Sequence, residues 1–208
     1  MPNTPQDHVE SNAGQWPGAK QFYVPPHAIT LGLWLFIASL AVFFVAGLVA
    51  YGVIRMSGAN SPPAGALQFP VGLWASTALL IASGACLHLA LRAVRRERQR
   101  SFRRYMLVAG ALTVGFLLAQ AYCLPALLTA HEAQRVRGFA LYLAATSLIV
   151  LHALHVIGGL VPLGVVTARA LKGRYDHEAY GGVKHCTIYW HFLDVVWLAM
   201  FATFLATS

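Results

Sequence analysis

The amino-acid sequence predicts an all-α membrane protein, a bundle of five transmembrane helices. Three observations support this fold class: few charged residues, five long apolar stretches, and Lys and Arg gathered in the loops on one side. Hydrophobic residues make up 58% of the 208 residues and charged residues 11%, whereas soluble domains carry about 25% charged residues. The composition is typical of an integral membrane protein and argues against a soluble enzyme.

Each apolar stretch is long enough to cross a bilayer as a helix. A helix needs about 20 apolar residues to span about 30 Å of hydrocarbon, and these stretches lack the alternation expected of barrel strands. A polar arm, residues 1–27, precedes the membrane domain 28–208; it has no apolar core of a signal peptide, and Pro25-Pro26 interrupts any helix before the membrane. The predicted spans are residues 28–54, 70–94, 106–130, 138–168 and 186–206.

Basic residues are concentrated in the segments that five spans place on one side. By the positive-inside rule this side is cytoplasmic, so we expect a cytoplasmic N-terminus and a C-terminus outside. Twelve of the 15 basic residues lie there: Lys20, Arg92, Arg95, Arg96, Arg98, Arg100, Arg103, Arg104, Arg169, Lys172, Arg174 and Lys184. A nucleic-acid patch at 95–104 is the alternative, but a short loop facing anionic lipid explains the same residues. We therefore predict no nucleic-acid partner.

One acid lies inside an apolar stretch. Asp194 would cost about 2.5–3.5 kcal/mol at the centre of a membrane helix on insertion scales. His191 lies three residues earlier, so the two share a helix face and His191 is the nearest partner in sequence. We interpret the pair as structural. Proton handling by Asp194 is the alternative, because proton relays use Asp and His inside spans.

Three further polar residues lie at membrane depth. His152 and His155 are three residues apart in the fourth predicted span, and Gln120 lies in the third. A haem held between His155 and His191 is one interpretation; hydrogen-bonded packing histidines or lipid contacts are the other. The two imidazoles lie at different depths in their spans, which disfavours a shared haem. We expect the Gln120 amide to bond a neighbouring helix, an interaction of about 0.6 kcal/mol in membranes.

The remaining chemistry-bearing residues suggest packing. We expect Trp34, Trp190 and Trp197 to pack between helices. The three cysteines, Cys86, Cys123 and Cys186, have no paired spacing and are interpreted as reduced packing residues. No phosphate-binding loop, Cys-x-x-Cys or zinc-protease motif occurs in the sequence. We therefore predict no catalytic, cofactor-binding or metal site on this chain.

Two C-terminal motifs resemble subunit III of the haem–copper terminal oxidases. The segment YWHFLDVVW, Tyr189 to Trp197, is similar to the family's C-terminal signature, and LHALHVIGG, Leu151 to Gly159, is similar to its His-x-x-His-Val-x-x-Gly element. Segments 31–39 and 115–120 resemble two more helices of the family less closely. The five-span topology resembles the short bacterial form, which lacks two extra N-terminal helices.

The resemblance implies an accessory role in aerobic respiration. Subunit III of this family carries no redox centre, so haem and copper are expected on the catalytic subunit I. It binds subunit I, stabilises it, holds phospholipids and supports proton uptake by a proton-translocating cytochrome c or quinol oxidase. Subunit II and a small subunit IV are further expected partners, and the bacterial inner membrane is the expected location.

The sequence departs from the family pattern at two positions. Leu40 and Cys123 stand where the family usually has a Glu. These replacements keep open a related homologue of subunit III associated with nitric-oxide reductase. A free-standing membrane cytochrome b is the rival from another class. A small transporter is a weaker one, since the sequence shows no inverted repeat.

Overall fold

A computed structural model describes residues 25–57, 72–133, 139–173, 175 and 180–207, and all regular secondary structure in this part is helical. Each of its five helices contains a segment long and apolar enough to cross a membrane, which confirms the predicted fold class. Residues 1–24 of the predicted polar arm lie outside the described residues. The helices are α1 (Pro26–Met56), α2 (Gly72–Arg95), α3 (Gln99–Ala133), α4 (Phe139–Leu171) and α5 (Gly181–Thr207).

The helices extend past the predicted spans where their ends are polar. α3 begins at Gln99 instead of residue 106, and α5 begins at Gly181 instead of residue 186. Hydropathy locates the edge of the hydrocarbon, whereas the backbone hydrogen bonds of a helix continue into the interface. α1 begins with Pro26 directly after the extended Pro25, because proline at the first helical position lacks only an N–H that would have no helical partner. α4 continues as one helix through Pro162.

A tight turn joins α2 to α3. Glu97 has a positive φ of 56°. Its N–H donates to the Val94 carbonyl at 3.2 Å, and the Arg98 N–H donates to the Ala93 carbonyl at 3.0 Å. These are the two hydrogen bonds of a Schellman motif, which occupy carbonyls that the helix end would leave open. The turn folds α3 directly back on α2, and this pair makes the most extensive contact of the bundle.

α4 and α5 form the centre of the bundle. α1 packs against both of them, while α2 contacts α5 and α3 contacts α4. The largest buried side chains of α5, Trp190 and Trp197, fill this centre. Gly159 on α4 lets the helices approach, since a Cβ at this position would lie 2.8 Å from the Trp190 ring. The core therefore follows the α4–α5 seam.

Three chain segments meet at one end of the bundle. The Thr30 hydroxyl near the start of α1 lies 3.0 Å from Nε2 of His185 on α5. The Gln99 side-chain amide donates to the Tyr175 carbonyl at 3.0 Å, between α4 and α5. These contacts place the start of α1, the α2–α3 turn and the α4–α5 connection at the same end. The orientation prediction depends on this grouping, and the orientation itself stays a prediction.

Candidate functional site

The two tryptophans of the C-terminal motif lie in the interior. Trp190 is fully buried and Trp197 is 1% exposed. The indole N–H of Trp197 donates to the Thr77 hydroxyl on α2 at 2.9 Å. Its ring also meets Phe116 of α3 edge-on, with centroids 5.7 Å apart. Trp197 therefore connects α5 to both α2 and α3.

His191 and Asp194 lie on α5 where it contacts α2. Nδ1 of His191 is 3.4 Å from Oδ2 of Asp194, longer than the roughly 2.7–2.9 Å of a strong charge-assisted hydrogen bond. The carboxylate abuts Gly84 of α2, where any Cβ would collide with Oδ2. The other oxygen, Oδ1, is buried and has no hydrogen-bond partner among the described residues. Asp194 thus packs tightly against α2, and its polar contact among the described residues is the long one to His191.

Sequence reasoning did not single out Gly84 as the residue that makes room for Asp194. The short run Ser83-Gly84-Ala85 is the signal that could have found it, because small residues mark close helix contacts in lipid. Its neighbour Ser83 takes part in a buried hydrogen bond with the hydroxyl of Thr113 on α3 at 2.9 Å. Gly84 thus contacts α5, and the adjacent Ser83 contacts α3.

A second imidazole lies beside the pair. The rings of His88 on α2 and His191 have centroids 5.9 Å apart. The His191 side chain is 45% exposed and that of Asp194 only 13%, and His88 is exposed. The α2–α5 contact therefore holds a cluster of three titratable groups that opens toward the outside of the bundle. Sequence reasoning did not connect His88 with His191.

His152 has the opposite surroundings. It is fully buried, with Phe44 of α1, Phe116 of α3 and Trp197 of α5 around its ring at centroid distances of 6.3, 6.2 and 5.1 Å. Neither ring nitrogen has a hydrogen-bond partner among the described residues. The side chain fills space between helices as an aromatic group does.

His155 faces α1. Its Nδ1 lies 2.7 Å from the Leu151 carbonyl one turn earlier, a distance at which the N–H tautomer donates. Its ring lies 5.3 Å from that of Phe44. His191 instead meets His88 on α2, so the structure does not bring His155 and His191 together as two ligands of one haem. Among the described residues, no group of three or more His, Cys, Asp or Glu side chains could hold a metal ion.

The other predicted residues divide between interior and exterior. Gln120 is buried and its amide nitrogen lies 3.5 Å from the Ser76 hydroxyl on α2, at the long limit of a hydrogen bond. Trp34 was expected between helices, but it is 54% exposed on α1 because α1 turns this face away from α4 and α5. Any packing role for Trp34 stays a prediction for a surface outside this chain.

Leu40 and Cys123 replace the family's usual acids, and the structure describes the side chain of Leu40 only. Leu40 on α1 is partly buried and packs against the core, an apolar contact at the position of the family's usual carboxyl. Cys123 lies on α3, and its side chain is outside the described part of the structure. Free Cys86 and Cys186 lie on α2 and α5.

Comparison with known proteins extends over nearly the whole chain. Residues 9–207 match the model of the family described as cytochrome c oxidase subunit III. Cytochrome c oxidase subunit 3 of Thermostichus vulcanus is 31% identical over 177 residues, which cover 85% of this chain and 86% of the relative. The subunit of Drosophila melanogaster is 30% identical, covering 85% of this chain and 70% of its own length. A probable cytochrome c oxidase subunit 3 of Nocardia farcinica is 26% identical, with coverage of 86% and 87%. With its ordered motifs and its five apolar helices, the chain belongs to the cytochrome c oxidase subunit III family.

Proposed function

We propose that this chain is the accessory subunit III of a bacterial haem–copper oxygen reductase. It binds the catalytic subunit I, stabilises it, holds phospholipids and supports proton uptake, while oxygen is reduced on haem and copper of subunit I. Subunit II and a small subunit IV complete the complex. The observation that carries this proposal is the family match along residues 9–207.

The use of polar residues inside the bundle supports a structural role. Trp197 bonds Thr77, Ser83 bonds Thr113, and the His155 ring bonds the backbone of its own helix. These contacts join helices or satisfy a local carbonyl, and they form no continuous relay across the described bundle. Proton uptake is therefore supported through the partner subunit, whose proton entrance this chain covers or stabilises.

The location follows from the helices and the basic residues. We place the chain in the bacterial inner membrane with its N-terminus in the cytoplasm, because the basic loops share one end of the bundle and the positive-inside rule assigns that end to the cytoplasm. Arg95 over the ring of Tyr180, with 5.2 Å from guanidinium carbon to centroid, shows how two of these loops are held together. Anionic headgroups lie at the same level.

Affinity purification of the tagged full-length protein tests the function. The protein is extracted from native membranes in mild detergent, and the same eluate is examined by visible spectroscopy and peptide mass spectrometry. We expect an oxidase subunit I to co-purify, and the haem absorption to leave with it when the complex is dissociated.

Two outcomes would contradict the proposal. A nitric-oxide reductase subunit in place of the oxidase would move the chain to that related branch. A Soret band retained by the isolated chain would make it a cytochrome, and His155→Ala and His191→Ala would then be the variants with which to locate the ligands.

A further inference from the structure

The lengths of α2 and α5 place His88 and His191 within the hydrocarbon layer, although both residues are on the outside of the bundle. Helices rise about 1.5 Å per residue, so α2 and α5 are about 36 and 40 Å long and overhang a hydrocarbon layer of about 30 Å by a few ångströms. His88 is seven residues from the end of α2 and His191 ten from the start of α5. Centred helices therefore place the imidazoles about 7 and 10 Å inside the hydrocarbon.

The outward faces of α1 and α4 near this depth are largely apolar, with Ser39 of α1 as a small exposed hydroxyl among them. α1 exposes Leu35 and Phe36, and α4 exposes Ile157 and Val161. Such faces match lipid tails and require no further partner. Imidazoles do not match them, because a polar group in hydrocarbon without a hydrogen-bond partner is strongly unfavourable.

The histidines belong to a continuous surface of two adjacent helices. Outward residues on each helix recur at spacings of three and four, and the rings of Trp74 and Phe201 connect the helices at the far end with centroids 5.0 Å apart. Several members are alanines, which let another helix approach closely. We call this surface the α2–α5 face, formed by Trp74, Ala78, Ile81, Ala85, His88, His191, Val195, Leu198 and Ala202.

The α2–α5 face has hydrogen-bonding atoms without a partner among the described residues. The His191 side chain is 45% exposed, and its Nδ1 lies 3.4 Å from Oδ2 of Asp194. Nε2 of the same ring is left for another group. Behind it, Oδ1 of Asp194 is buried and has no partner among the described residues. A partner that reaches His191 would complete a chain of polar contacts from outside the bundle to Asp194.

We propose that the α2–α5 face is where this chain docks on a transmembrane helix of the catalytic subunit, and that this helix presents a hydroxyl, amide or carboxyl group to His191. The inference rests on the proposed function and names the surface through which the chain binds subunit I. A lipid tail cannot supply the bond, and a headgroup lies about 10 Å too far toward the interface. Ala85, three residues before His88, leaves room for a helix to approach closely enough to make it.

Substitution of both imidazoles separates a polar partner from lipid. The double variant His88→Leu with His191→Leu is tested in the intact complex. If the α2–α5 face contacts lipid, the leucines should stabilise it. If the face contacts a protein helix, the leucines remove its hydrogen bonding to that helix. We expect retention of subunit I during detergent extraction to fall roughly threefold, as the loss of one membrane hydrogen bond allows. His191→Gln keeps a donor and an acceptor and should restore most of the retention. Unchanged retention in the double leucine variant would overturn the proposal.

Steric variants and cross-linking give a second readout that does not depend on the histidines. Ala85→Trp adds bulk to the α2–α5 face and should reduce retention of subunit I, whereas Val161→Trp adds the same ring to the outward face of α4 and should not. A photoreactive side chain at position 195 should cross-link to subunit I, and one at position 161 should not. Val195 and Val161 are matched in exposure, at 64% and 70%.

The outcomes distinguish this inference from the proposed function. If subunit I co-purifies with the wild-type chain but cross-links at position 161 and not at 195, the chain is an oxidase subunit that docks by another face. Cross-links from position 195 to a second copy of the chain, or to lipid only, overturn the docking surface in the same way. If no oxidase subunit co-purifies with the wild type, the proposed function itself is wrong.

Discussion

His152 and His191 are histidines of one bundle with contrasting surroundings. His152 is fully buried among three aromatic rings, and neither of its nitrogens has a partner among the described residues. His191 is nearly half-exposed, approaches a carboxylate and lies beside a second imidazole. The first acts through its shape and the second through its hydrogen-bonding atoms. An imidazole in this bundle can therefore serve packing, as at position 152, or polar contact at the edge, as at position 191.

The largest effect is expected from breaking the aromatic centre. Trp197→Ala removes a buried indole and its hydrogen bond to Thr77, and leaves a cavity between α2, α3 and α5. We expect it to lower the free energy of unfolding by about 3 kcal/mol or more, measured by titrating SDS into mild-detergent micelles and following far-UV circular dichroism. Trp34→Ala, at an exposed site, is the control and should change stability by less than about 0.5 kcal/mol. Equal losses in the two variants would refute the central role of Trp197.

A smaller effect is expected from adding a methyl group at the α4–α5 seam. A Cβ at Gly159 would lie 2.8 Å from the Trp190 ring and 2.9 Å from that of Tyr189, whereas none of the described atoms beyond its own helix lies within 4 Å of one at Gly158. Gly159→Ala should therefore cost about 1–3 kcal/mol through overpacking. Gly158→Ala should be neutral or stabilising by up to about 1 kcal/mol, because alanine favours a helix. The same SDS titration compares these neighbours, and a reversed order would show that the helices are not in close contact here.

The smallest effect is expected at His152. If its ring acts by shape alone, His152→Leu exchanges an unpartnered polar group for an apolar one of similar size, and the free energy of unfolding should stay within about 1 kcal/mol of wild type or rise. The SDS titration again provides the value. A loss above about 2 kcal/mol would show that the imidazole has a polar partner, such as a buried water.

Much of the architecture could be predicted from the sequence, because the bilayer constrains it strongly. Five apolar stretches predicted five helices, and no sequence feature competes with that signal. The starts of α3 and α5 could not be placed by hydropathy, which measures lipid contact and not backbone hydrogen bonding. The C-terminal motif pointed to Trp190 and Trp197, both of which lie in the core.

The rest depends on how each helix is rotated about its axis. An apolar stretch in lipid has no polar face that shows which side turns inward, so Trp34 was expected inside and lies outside. His152 and His155 are only one turn apart, yet His152 enters the core and His155 bonds its own helix. The role of Gly84 depends on a contact with Asp194, 110 positions later in the sequence, which no local pattern reveals.

Asp194→Asn in the assembled complex tests the central claim most directly. The claim is that this side chain has a structural role, packed against Gly84 of α2 and in polar contact with His191 of its own helix, and does not itself carry protons. Asparagine keeps nearly the same shape and still approaches His191, while it cannot bind and release a proton. We expect the amount of assembled complex and the rate of proton uptake, measured in reconstituted vesicles, to equal those of wild type. Normal assembly with slowed proton uptake would contradict the claim and make Asp194 a proton-handling residue.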